Sequence, residues 1–117
     1  PEAIKKEIAL YYGMISEMDA QVGRILETLE KEGLMENTLI VFAGDNGLAV
    51  GQHGLLGKQN LYEHSIRVPM IFSGPGIPKN KKADGFVYLS DIAPTMLHLM
   101  GMPIPAEMTG KILMKTN

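Results

Sequence analysis

The sequence has no cysteine and no tryptophan, and only 6% of its 117 residues are aromatic. Without thiols there is no disulfide framework, no zinc–thiolate centre and no cysteine nucleophile within the chain. Charge of one sign is missing too. Against 11 Lys and Arg stand 13 Asp and Glu, a formal net charge of -2, so no basic field follows a phosphate backbone and nucleic acid is not an expected partner. No apolar stretch approaches the ~20 residues needed to span a bilayer, and the charged-then-apolar pattern of a signal peptide is not there. Internal repeats and low-complexity tracts are also lacking. What remains, 45% hydrophobic and 21% charged, has the make-up of an ordinary globular domain, one at most for this length. The sequence opens at Pro1 without a Met and closes on Lys115-Thr116-Asn117, from which a piece of a longer polypeptide is expected.

Apolar residues at Ile8, Tyr11, Ile15, Met18, Val22, Ile25 and Leu29 step by three and four, which predicts a long helix over residues 2–32 with one buried face, ended by Gly33. Residues 37–43 form a strand-length apolar run, expected to be a central strand buried on both faces. Glycines 44, 47, 51, 54 and 57 then break all periodicity and predict a backbone-rich loop over residues 44–60. A second strand is expected over 68–72, with Pro69 near its start, and a third over 86–89. Between them, residues 73–78 read as turns and 79–84 as a solvated loop. Asp91 is placed to cap a helix over 92–100, with Pro94 in its first turn and Gly101 as its stop. The tail from Met102 shows no periodicity, and the nine Met read as core filler. The pattern is α/β, a partial helix-covered mixed sheet in which three strands are few.

Asp45-Asn46 leaves the first strand at its carboxyl end, where open α/β sheets place ligands. A carboxylate beside an amide carbonyl offers two hard oxygen donors suited to Ca²⁺ or Mg²⁺. Asp-Asn-Gly is equally a turn sequence, and spacing alone leaves both readings open. Two ligands are fewer than the six to eight oxygens calcium takes. His53 and Lys58 lie on the glycine-rich stretch Gly51-Gln52-His53-Gly54-Leu55-Leu56-Gly57-Lys58, a place for an anionic ester. It is not a nucleotide P-loop: Gln52 stands where that pattern needs Gly, and Gln59 where it needs Ser or Thr. Taken bare, Lys58 is a solvated charge and His53 a structural loop residue. Glu63 and Arg67, four apart, are expected to pair locally, and His98 reads as a core or boundary side chain. No nucleophile elbow is present.

Read in order, the motifs resemble the sulfatases of the alkaline phosphatase superfamily. They are Tyr11-Tyr12 with Asp19-Ala20-Gln21-Val22-Gly23-Arg24, Asn37-Thr38-Leu39-Ile40-Val41-Phe42, Asp45-Asn46-Gly47, the 51–58 stretch, Arg67-Val68-Pro69 and Asp91-Ile92-Ala93-Pro94-Thr95. The resemblance covers nearly all of residues 1–117 and matches the later part of a sulfatase catalytic domain. It implies Asp45 and Asn46 as calcium ligands, Lys58 as a contact of the substrate sulfate, and His53 close by. It also implies a formylglycine nucleophile, made from the first residue of a Cys- or Ser-x-Pro-x-Arg segment in an earlier part of the domain. No residue of this chain heads that full pattern. In the whole enzyme the formylglycine would attack sulfur while Ca²⁺ and Lys58 neutralise the sulfate oxygens.

Two other readings stand beside a sulfatase segment: a relative in the same superfamily that cleaves phosphate diesters or phosphonates, and a non-catalytic α/β interaction module. Asn46 favours the sulfatase, since relatives with two transition metals tend to place His after this Asp. The expected partners are a sulfate-ester substrate and the remainder of the same polypeptide. The isolated piece is expected to be inactive and to self-associate through uncovered strand edges and helix faces. The family suggests a periplasmic or secreted protein, with any export signal ahead of Pro1.

Overall fold

The computed structural model describes residues 2–114; Pro1 and Lys115-Thr116-Asn117, where the sequence suggested a cut from a longer chain, lie outside the described residues. The chain divides into two compact units, Pro1–Ile77 and Pro78–Asn117.

The first unit opens with α1, Glu2–Lys31, within one residue of the expected end. It stops as the sequence predicts. Gly33 takes φ 67°, and the bonds Gly33 N to Glu30 O (3.1 Å) and Leu34 N to Leu29 O (2.9 Å) close the last turn. The expected buried face is not buried: none of the described residues of α1 is, and Ile25 is 62% exposed. The reason is size. Thirty residues make a helix of about 45 Å, and the strands of this unit are four and two residues long.

A short 3-10 turn, Met35–Asn37, leads into β1, Ile40–Ala43. β1 pairs antiparallel with β4, Met70–Ser73, in the register Ile40 to Ser73 and Ala43 to Met70. Among the described residues β1 has one partner, and Phe42 and Ala43 are exposed, so the strand expected to be buried on both faces is covered only in part. Between these strands the glycine-rich loop contains structure that periodicity did not show. β2, Ala49–Val50, and β3, Leu56–Gly57, form a small antiparallel hairpin around the 3-10 turn Gln52–Gly54. The unit's buried apolar residue, Ala49 at 1% exposure, faces α1 there, in a groove of about 430 Å³ shared with Ile4, Tyr11 and Leu56. A single helical turn, α2, Glu63–Ile66, precedes β4.

The second unit holds α3, Ile92–Leu99, after a 3-10 turn at Leu89–Asp91. The strand expected over 86–89 is not formed: Phe86, Val87 and Tyr88 have no ladder, and Phe86 is 97% exposed. An apolar run without a neighbouring strand has nothing to satisfy its backbone as a sheet. Asp91 precedes α3 but does not cap it. Its carboxylate instead accepts Tyr88 N at 2.9 Å and Lys111 N at 2.8 Å, tying the irregular tail to the start of the helix. Those two backbone donors, Lys111 first, hold the Asp91 carboxyl below the usual carboxylate value. Leu113 N adds a bond of 3.0 Å to Thr95 Oγ1. α3 ends at Leu99, one residue short of expectation, and Gly101 follows with φ 68°.

Candidate functional site

Where β1 ends, Gly44 N still reaches across to Pro69 O at 3.2 Å, and the chain then leaves the ladder with Asp45 and Asn46. Gly47 anchors the far side of this turn, its N–H donating to Ser65 O at 2.9 Å. A Cβ at Gly47 would overlap the His64 carbonyl, so only glycine lets the turn lie against α2. Asp45 is exposed and Asn46 half-buried. Asp45 Oδ1 accepts Asn46 N at 2.8 Å, and Asn46 Nδ2 donates to Gly47 O at 2.9 Å. That second bond engages the amide nitrogen and leaves Asn46 Oδ1 as an acceptor.

The β2–β3 hairpin returns the chain to the same turn, with Lys58 following directly on β3. Lys58 Nζ donates to Asn46 Oδ1 at 3.1 Å, so two residues twelve apart in sequence meet at the strand end. Of the residues that the sequence singled out, Asp45, Asn46 and Lys58 share this corner.

His53 lies on the tip of the hairpin. Its backbone is left-handed, φ 54° and ψ 23°, between Gly51 at φ 100° and Gly54 at φ 71°. Its ring stacks on Tyr62 with centroids 4.3 Å apart and planes 16° off parallel. His64 stands behind, 5.7 Å from Tyr62 and 5.9 Å from His53. Among the described residues, the ring contacts of His53 are with these two. Neither Tyr62 nor His64 stood out in the sequence. The stack joins positions nine and eleven residues apart across a hairpin, and no local spacing rule covers that.

The wall carrying Tyr62 is held by Asn60, whose Oδ1 accepts both Tyr62 N at 3.1 Å and Ser65 Oγ at 2.9 Å. Ser65, 3% exposed, passes the restraint to the Asp45 turn through its carbonyl on Gly47. Glu63 and Arg67 pair at 3.5 Å, as their spacing predicts, but with both ends exposed the pair contributes little. His98 is half-buried on α3, in the second unit.

Chemically, the corner offers one carboxylate, one amide oxygen and one ammonium. Among the described residues no group of three or more His, Cys, Asp or Glu could hold a metal ion. Asp45 and Asn46 are hard oxygen donors fitted to a hard cation, as part of a shell and not as the whole of it. An ammonium beside them suits a ligand that is itself an anion.

A family model for sulfatases matches residues 2–102. The chain is 38% identical over 114 residues to arylsulfatase K of Canis lupus familiaris, covering 94% of this chain and 21% of that protein. It is 41% identical over 102 residues to a Caenorhabditis elegans protein named as an extracellular sulfatase homologue, covering 86% of this chain and 14% of the relative. A solved structure of a protein in complex with its substrate D-glucosamine-2-N,6-O-disulfate superposes with a TM-score of 0.80 at 34% identity, over 85% of this chain and 20% of that one. The chain therefore spans about a fifth of the length of the arylsulfatase K relative that it matches.

Proposed function

The chain belongs to the sulfatase family, with the alkaline-phosphatase-like fold, and on that premise we propose that it forms the cation- and sulfate-binding part of a sulfuric ester hydrolase. The observation that carries this reading is the Lys58–Asn46 contact beside Asp45, which gathers a point charge and two hard oxygens at one strand end. Asp45 and Asn46 would hold calcium. When bound, calcium supplies positive charge that polarises the sulfate oxygens.

The chain's own residues bind and orient. Lys58 Nζ takes a non-bridging sulfate oxygen, exchanging its bond to Asn46 for one to the ester, and neutralises it while charge grows on the leaving oxygen as the sulfur–oxygen bond breaks. His53, on the hairpin tip, meets the substrate through the edge of its ring. The chain encodes no segment that yields formylglycine, so the nucleophile comes from another part of the polypeptide and this chain alone is inactive. Asn46 favours sulfate esters over phosphate diesters. We place the protein outside the cytoplasm, periplasmic or secreted, a reading supported by the extracellular relative.

The test uses the full polypeptide with calcium, assayed on 4-nitrophenyl sulfate, a 6-O-sulfated glucosamine and an aryl phosphate diester. Sulfate-ester turnover is expected, with Lys58→Ala lowering kcat/KM at least tenfold, about 1.4 kcal/mol of transition-state stabilisation. Lys81→Ala, an exposed control, leaves the rate unchanged. Cleavage of the diester without the sulfates would overturn the reading, and an unimpaired Lys58→Ala would remove the lysine from it.

A further inference from the structure

We propose that Tyr62 is a positioning residue for His53: its ring fixes the plane of the imidazole on the hairpin tip, so that the two ring nitrogens point sideways toward the ester. The proposal rests on the reading that His53 meets the substrate, and it adds what aims His53.

The tip needs such a device. His53 is exposed, on a two-strand hairpin whose strands have two residues each, and its side chain could turn freely about χ1 and χ2. Its backbone is left-handed where glycine would be unstrained, so the imidazole itself is what position 53 contributes. A nearly parallel stack at 4.3 Å removes the ring's rotational freedom while leaving both nitrogens at the edge, open to hydrogen bonding.

The backbone of Tyr62 is in turn held on both sides. Asn60 grips its N–H at 3.1 Å, and its carbonyl accepts Ser65 N at 2.8 Å. His64 backs the ring at 5.7 Å, with its Nε2 enclosed and without a hydrogen-bond partner among the described residues, so His64 serves there as a packing surface. The restraint runs on through Ser65 to Gly47, which sets Asn46. One short segment, residues 60–65, thereby positions both the imidazole and the Asp45 turn. Preorganisation of this kind acts mainly on the chemical step, because a misaimed group loses transition-state contact before it loses substrate.

The experiment compares His53→Ala, Tyr62→Leu and Tyr62→Phe in the full polypeptide with calcium and 4-nitrophenyl sulfate, and records the imidazole proton shifts of labelled His53. His53→Ala is expected to slow turnover. Tyr62→Leu should lower kcat about tenfold with little change in KM, and Tyr62→Phe should restore it to within about twofold. The wild-type His53 ring protons should lie upfield from the Tyr62 ring current, stay there in Tyr62→Phe and move downfield in Tyr62→Leu. A slow His53→Ala with a fully active Tyr62→Leu overturns the positioning role and leaves the substrate reading standing. A fully active His53→Ala overturns that reading, and the proposal with it. Absence of the upfield shift in the wild type refutes the stack whether or not any variant folds.

Discussion

Lys58 Nζ donates to Asn46 Oδ1 at 3.1 Å, and Asn46 is at the same time bound to Gly47 O, so one amide carries both the turn and the lysine. Residues that share a contact act non-additively. In the full polypeptide, Lys58→Ala and Asn46→Ala should each lower kcat/KM for an aryl sulfate. The double variant should fall short of the product of the two losses by at least about threefold. Strict multiplication of the single effects would show that the two side chains work apart.

Asp45→Ala removes the carboxylate that the chain presents where β1 ends. Calorimetric titration of the full polypeptide with calcium should show affinity weakened at least about tenfold, as for loss of one charged ligand from an oxygen shell. Equal affinity in both proteins would strike Asp45 from the metal site.

Gly47→Ala should destabilise the turn, because the added methyl meets the His64 carbonyl. The cost is on the order of 1–3 kcal/mol, the usual penalty for forcing atoms into a closed contact. Gly23→Ala is a comparison with neither clash nor strained backbone, since it lies inside α1 and nothing lies within 4 Å of its Cβ position. Thermal melts rank the two: a Gly47→Ala protein that melts no earlier than Gly23→Ala contradicts the close approach.

Acid should release the tail. The Asp91 carboxyl lies below its ordinary value because Lys111 N and Tyr88 N bond its charged form, and a lowered pKa means a contribution present at neutral pH. It is lost only as pH falls through the depressed folded value. Hydrogen exchange at the Lys111 amide should therefore remain protected from pH 7 down through the ordinary carboxylate range and open below it. In Asp91→Asn, protection should be reduced across the whole range. Exchange at Lys111 indifferent to this substitution would discard the tether.

Along α1, Leu10, Met14, Met18 and Ile25 recur at helical spacing and are 49–64% exposed. An uncovered stripe of this length favours association. The 117-residue chain by itself should scatter light as an oligomer, and should show no sulfatase turnover above a calcium-only blank. A lasting monomer refutes the first expectation, and any turnover refutes the second.

The sequence announced the elements that rest on local rules. α1 follows from apolar steps of three and four and from Gly33. β1 and β4 follow from apolar runs bounded by breakers, and the Glu63–Arg67 pair from its spacing of four. Long-range contacts were illegible. Phe86-Val87-Tyr88-Leu89 has the residues of a strand and no partner to pair with. Ala49-Val50 and Leu56-Gly57 are too short for any period, and become strands only because the turn at residues 52–54 folds one back on the other. Asp91 satisfies the rule for a helix cap yet spends its carboxylate on Lys111, twenty residues away. At the site, Asp45, Asn46, His53 and Lys58 were visible as residue types on a glycine-rich stretch. The contact between Asn46 and Lys58 and the stack on Tyr62 came only with the fold.

The pairing of Ala43 with Met70 has a kinetic side. Every candidate residue, from Asp45 to Lys58 with the Asn60–Ser65 wall, lies within the excursion that this pair closes. Loop entropy must be overcome before any contact inside can be rewarded, but it grows only by about 0.6 kcal/mol for each doubling of length. Added residues at the hairpin tip should then hardly disturb folding, whereas a weakened β1–β4 ladder would delay the assembly of the whole corner together. The corner should appear late, in one step, after the two strands have found each other.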